Sequence, residues 1–562
     1  MKINRIKNIF TAIVLLMAVG FSSCVNDLNV EPIDPNLDTA NRIYKTEADL
    51  AQGLAKMYAG LAVTGQKGPD GDGDIDGIDE GASSYWRGYW MLQQLPTDEV
   101  LNGWGDPGIP ALNRVNWTAS NGMVTGFYYR IMFQVTLANE FIRQANNIMQ
   151  PDWQAAPGYV AEARFLRAFA YYHGLENFGN IIPKVTEEDG VGAFLPPSWG
   201  ELGGDELFMY IKGELEDVIA GDALVEQGAV GQVTKDVART LLAKMLLNHE
   251  VILGSSNTAF YAEASQLLET VAANHSLNTQ GGVNGNNLIG GDGDLITVND
   301  GQDFSAYQVL FMADNWEKTN EIIFSINYHH QFVQTWGGMT FLVCGSVLGG
   351  EETMNAAEFG VSGGWSGNRI TKTLVDKFDR ANDLRIAENQ LLFTKNRGDG
   401  TITELANSNQ GYGVGKFRNL MSDGSWAGNE GTNERVDNNV PVFRLSDVYL
   451  MLAELDLRQG NAVSGAHLDM INQIQNRAGL SDVSAGNVTL DWLLDERARE
   501  LYWEGQRRMD LIRFGKFSGG SYVWPFKGNT VNGSAVDAKY ELYPIPTADQ
   551  TANPNLNRNP NY

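Results

Sequence analysis

The chain has 562 residues, 68 acidic against 41 basic, a net charge of −27 and two cysteines. An acidic surface repels phosphate backbones, which argues against a nucleic-acid partner and suits a solvated protein on a cell exterior. The length is enough for a large core or several sub-domains.

Residues 1–23 read as a secretory signal. Lys2, Arg5 and Lys7 form a basic start, an apolar run over 9–21 is too short to span a bilayer, and Ser22 and Ser23 lead into Cys24. That ending resembles a bacterial lipobox, in which Cys24 is acylated and becomes the new N-terminus. Lipid there would hold a soluble body on a membrane face. A plain signal peptide with an incidental cysteine is the alternative. Cleavage would take the net charge to −30, and no second long apolar run follows. With Cys24 spent on lipid, Cys344 has no intrachain partner for a disulfide. It ends the apolar run Thr340-Phe341-Leu342-Val343-Cys344, as a buried small hydrophobe would.

Residues 24–40 form a lipidated, extended tether, rich in Pro, Asp and Asn over 26–40. Helical periodicity then begins at 48–61. Asp70-Gly-Asp72-Gly-Asp74-Ile-Asp76-Gly77 starts like a calcium loop, but Ser83 stands at the twelfth position where a bidentate Glu is needed, so a solvated acidic turn is expected. Helical patterns recur over 128–149, 161–178, 233–252, 261–273, 448–458, 466–478 and 493–504. They pair as hairpins, 128–149 with 161–178, 233–252 with 261–273 and 448–458 with 466–478, like degenerate tetratricopeptide units of irregular spacing. The predicted architecture is one discontinuous, mainly α domain over 41–562. Its helical scaffold covers about 41–280 and 430–517, around a loop-rich insert at about 281–429. That insert is rich in Gly, Asn and Asp, with β-like runs at 322–328 and 340–347.

In 493–517, Leu494, Ala498, Leu501 and Tyr502 make an apolar stripe, and Asp495 with Arg499 is a favourable i,i+4 pair. Glu496, Arg497, Glu500, Arg507, Arg508 and Asp510 could be mistaken for a catalytic cluster. A charged network locking helices together is the expected role.

Four stretches carry a resemblance: Cys24 with its tether, Ala161-Glu-Ala-Arg-Phe-Leu-Arg-Ala-Phe-Ala-Tyr-Tyr-His to Asn177-Phe-Gly, Asp495 to Phe517, and Tyr543-Pro-Ile-Pro. Through them the chain resembles the SusD/RagB family of outer-membrane glycan-binding lipoproteins, and most closely its starch-binding member. Leu95-Pro-Thr-Asp98-Glu99, Phe311-Met-Ala-Asp-Asn315, Leu342-Val-Cys-Gly345 and Gly364-Trp-Ser366 strengthen the match. The resemblance implies a fold with four tetratricopeptide-like helix pairs and a glycan site built from loops. It also implies a TonB-dependent transporter of the SusC type as partner, and a surface-exposed place on the outer membrane.

A neutral sugar offers C–H faces that lie on aromatic rings and hydroxyls that need directed hydrogen bonds. Trp104, Trp336 and Trp365 each sit in Gly-flanked polar sequence, and by resemblance each corresponds to an aromatic of the family's starch-binding arc. Arg87 falls where an arginine holds sugar hydroxyls; a surface ion pair is its alternative role. Asn102 replaces a further Trp of that arc. Trp86, Trp90 and Trp117 lack this support and are expected in the core. Asp437 and Asn439 resemble a calcium-holding segment, with Glu317 a guess for a third ligand; calcium there would brace loops and do no chemistry. No cofactor is required. His329-His330 has no Cys or His companion at ligand spacing, which argues against zinc.

The expected function is therefore capture of starch or maltooligosaccharide chains for the transporter, without bond cleavage. A binder of another glycan, a glycoside hydrolase and a helical protein-binding scaffold are the competing readings. Among the 68 acidic residues no carboxylate pair stands out for hydrolysis. A scaffold leaves the Gly-flanked tryptophans without a purpose.

Overall fold

The computed structural model describes residues 43–66, 68–69, 73–189, 194–283, 287–289, 295–297, 303–347, 356–386, 396–397, 400–428, 435–559 and 561–562. The expectations for the signal, Cys24, the tether, Asp70 and Asp72 lie outside those residues.

Helix α1 (Glu47–Ala62) starts where Thr46 and Asp49 cap each other's backbone N–H groups. Helix α2 (Tyr85–Gln94) is capped by Ser84, and Asn121 caps the 27-residue α3 (Gly122–Ile148). Helix α4 (Ala156–Phe178) packs along α3 and is buried on nearly every side of its second half. After α5 (Glu206–Ala220), α6 (Lys235–Leu247) packs on α7 (Thr258–Asn274). Farther on, α8 (Leu445–Arg458) packs on α9 (Gly465–Arg477), α10 (Leu490–Leu501) and α7. Short α11 (Arg507–Arg513) lies against α2 and α10. The predicted hairpins are therefore the pairs α3/α4, α6/α7 and α8/α9, and the α7–α8 contact joins helices from both sides of the loop-rich segment. One apolar core runs from Leu50 to Leu556, and Trp86, Trp90 and Trp117 are buried in it.

The strands are short. β1 (Val100–Asn102) pairs antiparallel with β3 (Asn368–Ile370), and β2 (Ile322–Ile326) with β4 (Val440–Arg444). The expected strand at 322–328 is thus present. The β-like run at 340–347 is instead the helix Gly338–Cys344, every residue of it buried. A short run that is apolar on all sides has neither period, and burial in a helical surround decides its shape. Cys344 is buried there as expected.

The acidic turn's Asp74 pairs with Lys56 at 3.1 Å and lies 3.7 Å from Arg130. The 493–517 charges form a buried network: Arg385 binds Glu496 at 2.7 Å and Glu500 at 3.0 Å, and Arg497 binds Asp447 at 2.7 Å and Asp510 at 2.8 Å. The i,i+4 pair expected of Asp495 and Arg499 is not made. Arg499 bonds Glu496, one turn back on the same helix, at 2.8 Å and the Lys377 carbonyl at 3.0 Å, while Asp495 bonds the tertiary partner Lys377 at 2.6 Å.

Candidate functional site: a row of three indoles

Antiparallel register explains why residues 104 and 365 meet. Asn102 faces Asn368 and Leu101 faces Arg369, so the chain leaving β1 and the chain entering β3 emerge at the same end. Asn102 ties this end together: its Nδ2 donates to Asn368 Oδ1 at 2.7 Å, and its Oδ1 accepts the Trp104 N–H at 2.8 Å. Buried in that role, Asn102 locks loops where the family arc has an aromatic. The Trp104 indole lies on the backbone of Gly367, where any Cβ would overlap it, and its Nε1–H donates to Trp365 O at 3.2 Å.

The helix Gly338–Cys344 organises the rest. Trp336 stands just before its start. At its other end the Cys344 carbonyl accepts the Trp365 N–H at 2.7 Å, and Gly345 O accepts from Gly367 at 2.9 Å and Asn368 at 2.7 Å. Phe341, midway, meets the Trp104 ring edge-on at 5.8 Å between centroids. The three indoles follow one another in the order Trp104, Trp365, Trp336. Centroids are 6.4 Å and then 6.1 Å apart, with neighbouring planes inclined by 42° and 58°. All three are partly exposed. Stepwise inclination gives a curved surface.

Arg87 comes from α2, whose N-cap Ser84 packs against Gly337. Its guanidinium carbon sits 4.4 Å above the Phe341 ring centroid and 5.6 Å from that of Trp104. The residue is only 7% exposed. No side chain or carbonyl of the described residues hydrogen-bonds its guanidinium, and buried Nε lacks a partner. Burial lowers its pKa to about 10, although Asp79, Asp106 and Glu80 pull the other way. The surface ion pair considered for Arg87 is not formed. A desolvated cation with open donors beside indole faces can bind uncharged oxygens without competition from a bound carboxylate.

Arg435 escaped the sequence reading. Its guanidinium carbon stacks 4.4 Å from the Trp336 ring centroid, a contact between residues 99 positions apart that no local pattern announces. Phe341 was read only as part of an apolar run.

Asp437 and Asn439 lie elsewhere and are engaged. Both Asp437 oxygens contact His330 Nδ1, at 2.9 and 3.0 Å, and Oδ1 also accepts the His330 N–H at 2.7 Å. Asn439 Oδ1 accepts the Tyr328 N–H at 3.1 Å. Glu317 is half exposed, and its nearest cation is Lys318 at 4.0 Å. Calcium takes six to eight oxygens, so Asp437, Asn439 and Glu317 would need further oxygen ligands to hold it.

A family model described as the SusD family matches residues 387–562. The starch-binding protein SusD of Bacteroides thetaiotaomicron is 31% identical, over the whole of both chains. The SusD-like protein P2 of Formosa agariphila is 23% identical over 98% of each. Among solved structures, a SusD superfamily protein from Parabacteroides distasonis superposes with a TM-score of 0.66 at 19% identity, over 92% of this chain and all of that one. The surface glycan-binding protein A of Bacteroides thetaiotaomicron, in complex with laminarihexaose, gives 0.63 at 20% over the same shares. The first and the last of these carry the names of binding proteins. Full-length identity to the starch-binding protein, the match over the C-terminal helices and the shared helical architecture have one meaning: this chain belongs to the SusD family.

Proposed function

We propose that this protein is a cell-surface glycan-binding lipoprotein that captures α-glucan chains, such as starch or maltooligosaccharides, and passes them to a SusC-like TonB-dependent transporter. The observation that carries the reading is the row Trp104–Trp365–Trp336. Pyranose rings present apolar C–H faces that stack on indoles, and planes inclined by 42° and 58° suit a chain that curves from one sugar to the next. A flat ribbon of sugars would want coplanar rings. Arg87 supplies donors for hydroxyls between the stacked faces. The name of the 31% identical relative supports starch as the glycan. Each contact is weak, and retention grows from many sites on one polymer meeting many copies on one surface. Acylated Cys24 would keep the protein beside its transporter on the outer membrane.

Capture needs no bond cleavage. A hydrolase would need a carboxyl kept protonated and facing the scissile bond. Burial raises Glu99 to about 8 and Glu176 to about 7, but both are enclosed in the core, out of a polymer's reach.

Electrophoresis through gels containing starch tests the reading. The protein should be retarded, and Trp336→Ala should abolish the retardation while its thermal melting stays close to that of the parent. Unchanged retardation in the variant would remove the indole row from the site. Parallel gels with β-glucans test the linkage, and release of new reducing ends from amylose would favour a hydrolase.

A further inference from the structure

We propose that His329, His330 and Asp437 form a binding site for a borderline divalent transition metal of the zinc class. Each offers one ligand atom, a ring nitrogen or a carboxylate oxygen, and the three atoms lie within 4.8 Å of one another. The sequence hides this cluster, because Asp437 lies 107 residues beyond His330. The tertiary fold supplies the companion that spacing lacked.

The His330 Nδ1 to Asp437 oxygen distances are 2.9 and 3.0 Å. Two ligands held at about 2.0–2.1 Å on a tetrahedral metal stand about 3.3 Å apart. A metal can therefore replace the shared proton with a shift of a few tenths of an ångström. His329 stacks on His330, with centroids 4.6 Å apart and planes inclined by 20°, and the Phe332 ring lies 4.7 Å from it. One hydrogen bond restrains the His329 ring, from the Gln331 N–H at 3.1 Å. Gln331 is exposed, so water can take over that donor when the ring turns to a metal.

His330 and Asp437 border an open cleft of about 710 Å³ together with His329, Trp316, Tyr328 and Trp426, which leaves room for water to complete four-coordination. The donor set decides the metal. Two imidazoles and one carboxylate suit zinc, copper or nickel, whereas calcium and magnesium want oxygens. Asn439 lines the same cleft, and its Oδ1 accepts the Tyr328 N–H at 3.1 Å.

Calorimetric titration of the untagged full chain, stripped with chelator, with zinc chloride tests the assignment. One saturable equivalent is expected, weakened about tenfold or more in His329→Ala, His330→Ala and Asp437→Asn. His467→Ala, which removes a separate histidine–carboxylate contact at 2.7 Å, should bind as the parent does. No zinc uptake, or uptake that survives loss of both His329 and His330, would overturn the site. So would calcium binding that needs Asp437 but ignores His329→Ala. Should His330→Ala fail to fold, His329→Gln leaves the His330–Asp437 pair in place, and its zinc affinity decides.

Discussion

Around Glu500 buried arginines rest against carboxylates, whereas beside Trp104 the buried Arg87 rests on rings and makes no ion pair with the described residues. Glu500 accepts from Arg385 at 3.0 Å, from Arg444 at 2.7 Å and from Arg477. Glu504 meanwhile binds Arg444 and Lys416, both at 2.6 Å. Burial pushes the Glu500 carboxyl up, and Arg477, Arg444 and Arg385 more than reverse this, holding it well below the usual carboxylate range. Arg87 is nearly as enclosed, yet Phe341 and Trp104 are its main neighbours. A satisfied network spends its hydrogen bonds on holding helices together. An unsatisfied cation beside partly exposed indoles keeps them for something that arrives later.

Removing a member of the satisfied group should have the largest effect on stability. Glu500→Ala leaves Arg385, Arg444 and Arg477 short of a buried acceptor, and truncating one partner of such a cluster costs about 3–5 kcal/mol. Chemical denaturation should show that loss. Well below the melting temperature, glycan retardation should be that of the parent, because none of the three indoles touches Glu500. Weakened retardation with little loss of stability would exchange the roles of the two regions.

A smaller effect belongs to the adjoining pair Asp98 and Glu99. Burial raises both carboxyls, but Arg507 grips Asp98 through Nε at 2.7 Å and Nη2 at 2.8 Å and brings it down to about 2. Glu99 lies 3.7 Å from the same arginine, and burial with Asp98 beside it holds its pKa at about 8. A carboxyl raised on folding keeps its proton longer in the native state than in the unfolded chain. Its contribution is therefore complete below the ordinary glutamate range and is lost as pH climbs toward 8. Glu99→Gln cannot ionise, so relative to the parent it should gain about 2 kcal/mol at pH 8 over its standing at pH 4.5, on the scale of a buried polar penalty. Glu176, raised to about 7, titrates in the same window, and subtracting parent from variant cancels it. A difference independent of pH would mean that Glu99 is ionised throughout.

How much of this was legible follows from the range of each signal. The helices α3, α4, α6, α7, α8 and α9 announce themselves because their apolar residues repeat with helical period over several turns. The helix Gly338–Cys344 is buried on all sides and so shows no period, and it reads as a strand. Helix α5 went unread although it buries Leu207, Phe208, Ile211 and Leu215. Trp104, Trp336 and Trp365 could be singled out because Gly-flanked polar sequence coincides in each with a family resemblance to an aromatic of the binding arc. Gly367 shows what such glycines do, since only a bare backbone fits beneath the Trp104 ring. Arg435 on Trp336 and Asp437 on His330 join residues about a hundred positions apart, and nothing local encodes them.

Arg87 sharpens the comparison most, though its expected effect is the smallest. Arg87→Met keeps an unbranched apolar stem over Phe341 and Trp104 and deletes only the donors and the charge. If those donors complete themselves on sugar hydroxyls, glycan affinity should fall about tenfold, near 1.4 kcal/mol. The fold should lose nothing, because a desolvated cation without an ion-pair partner contributes little to stability. Affinity gels over a series of starch concentrations give the binding change, and denaturant melts give the stability change. An arginine that only props the rings apart predicts the reverse, a less stable protein that binds starch as before. The two outcomes separate a cation held ready for a ligand from one that belongs, like those around Glu500, to the architecture.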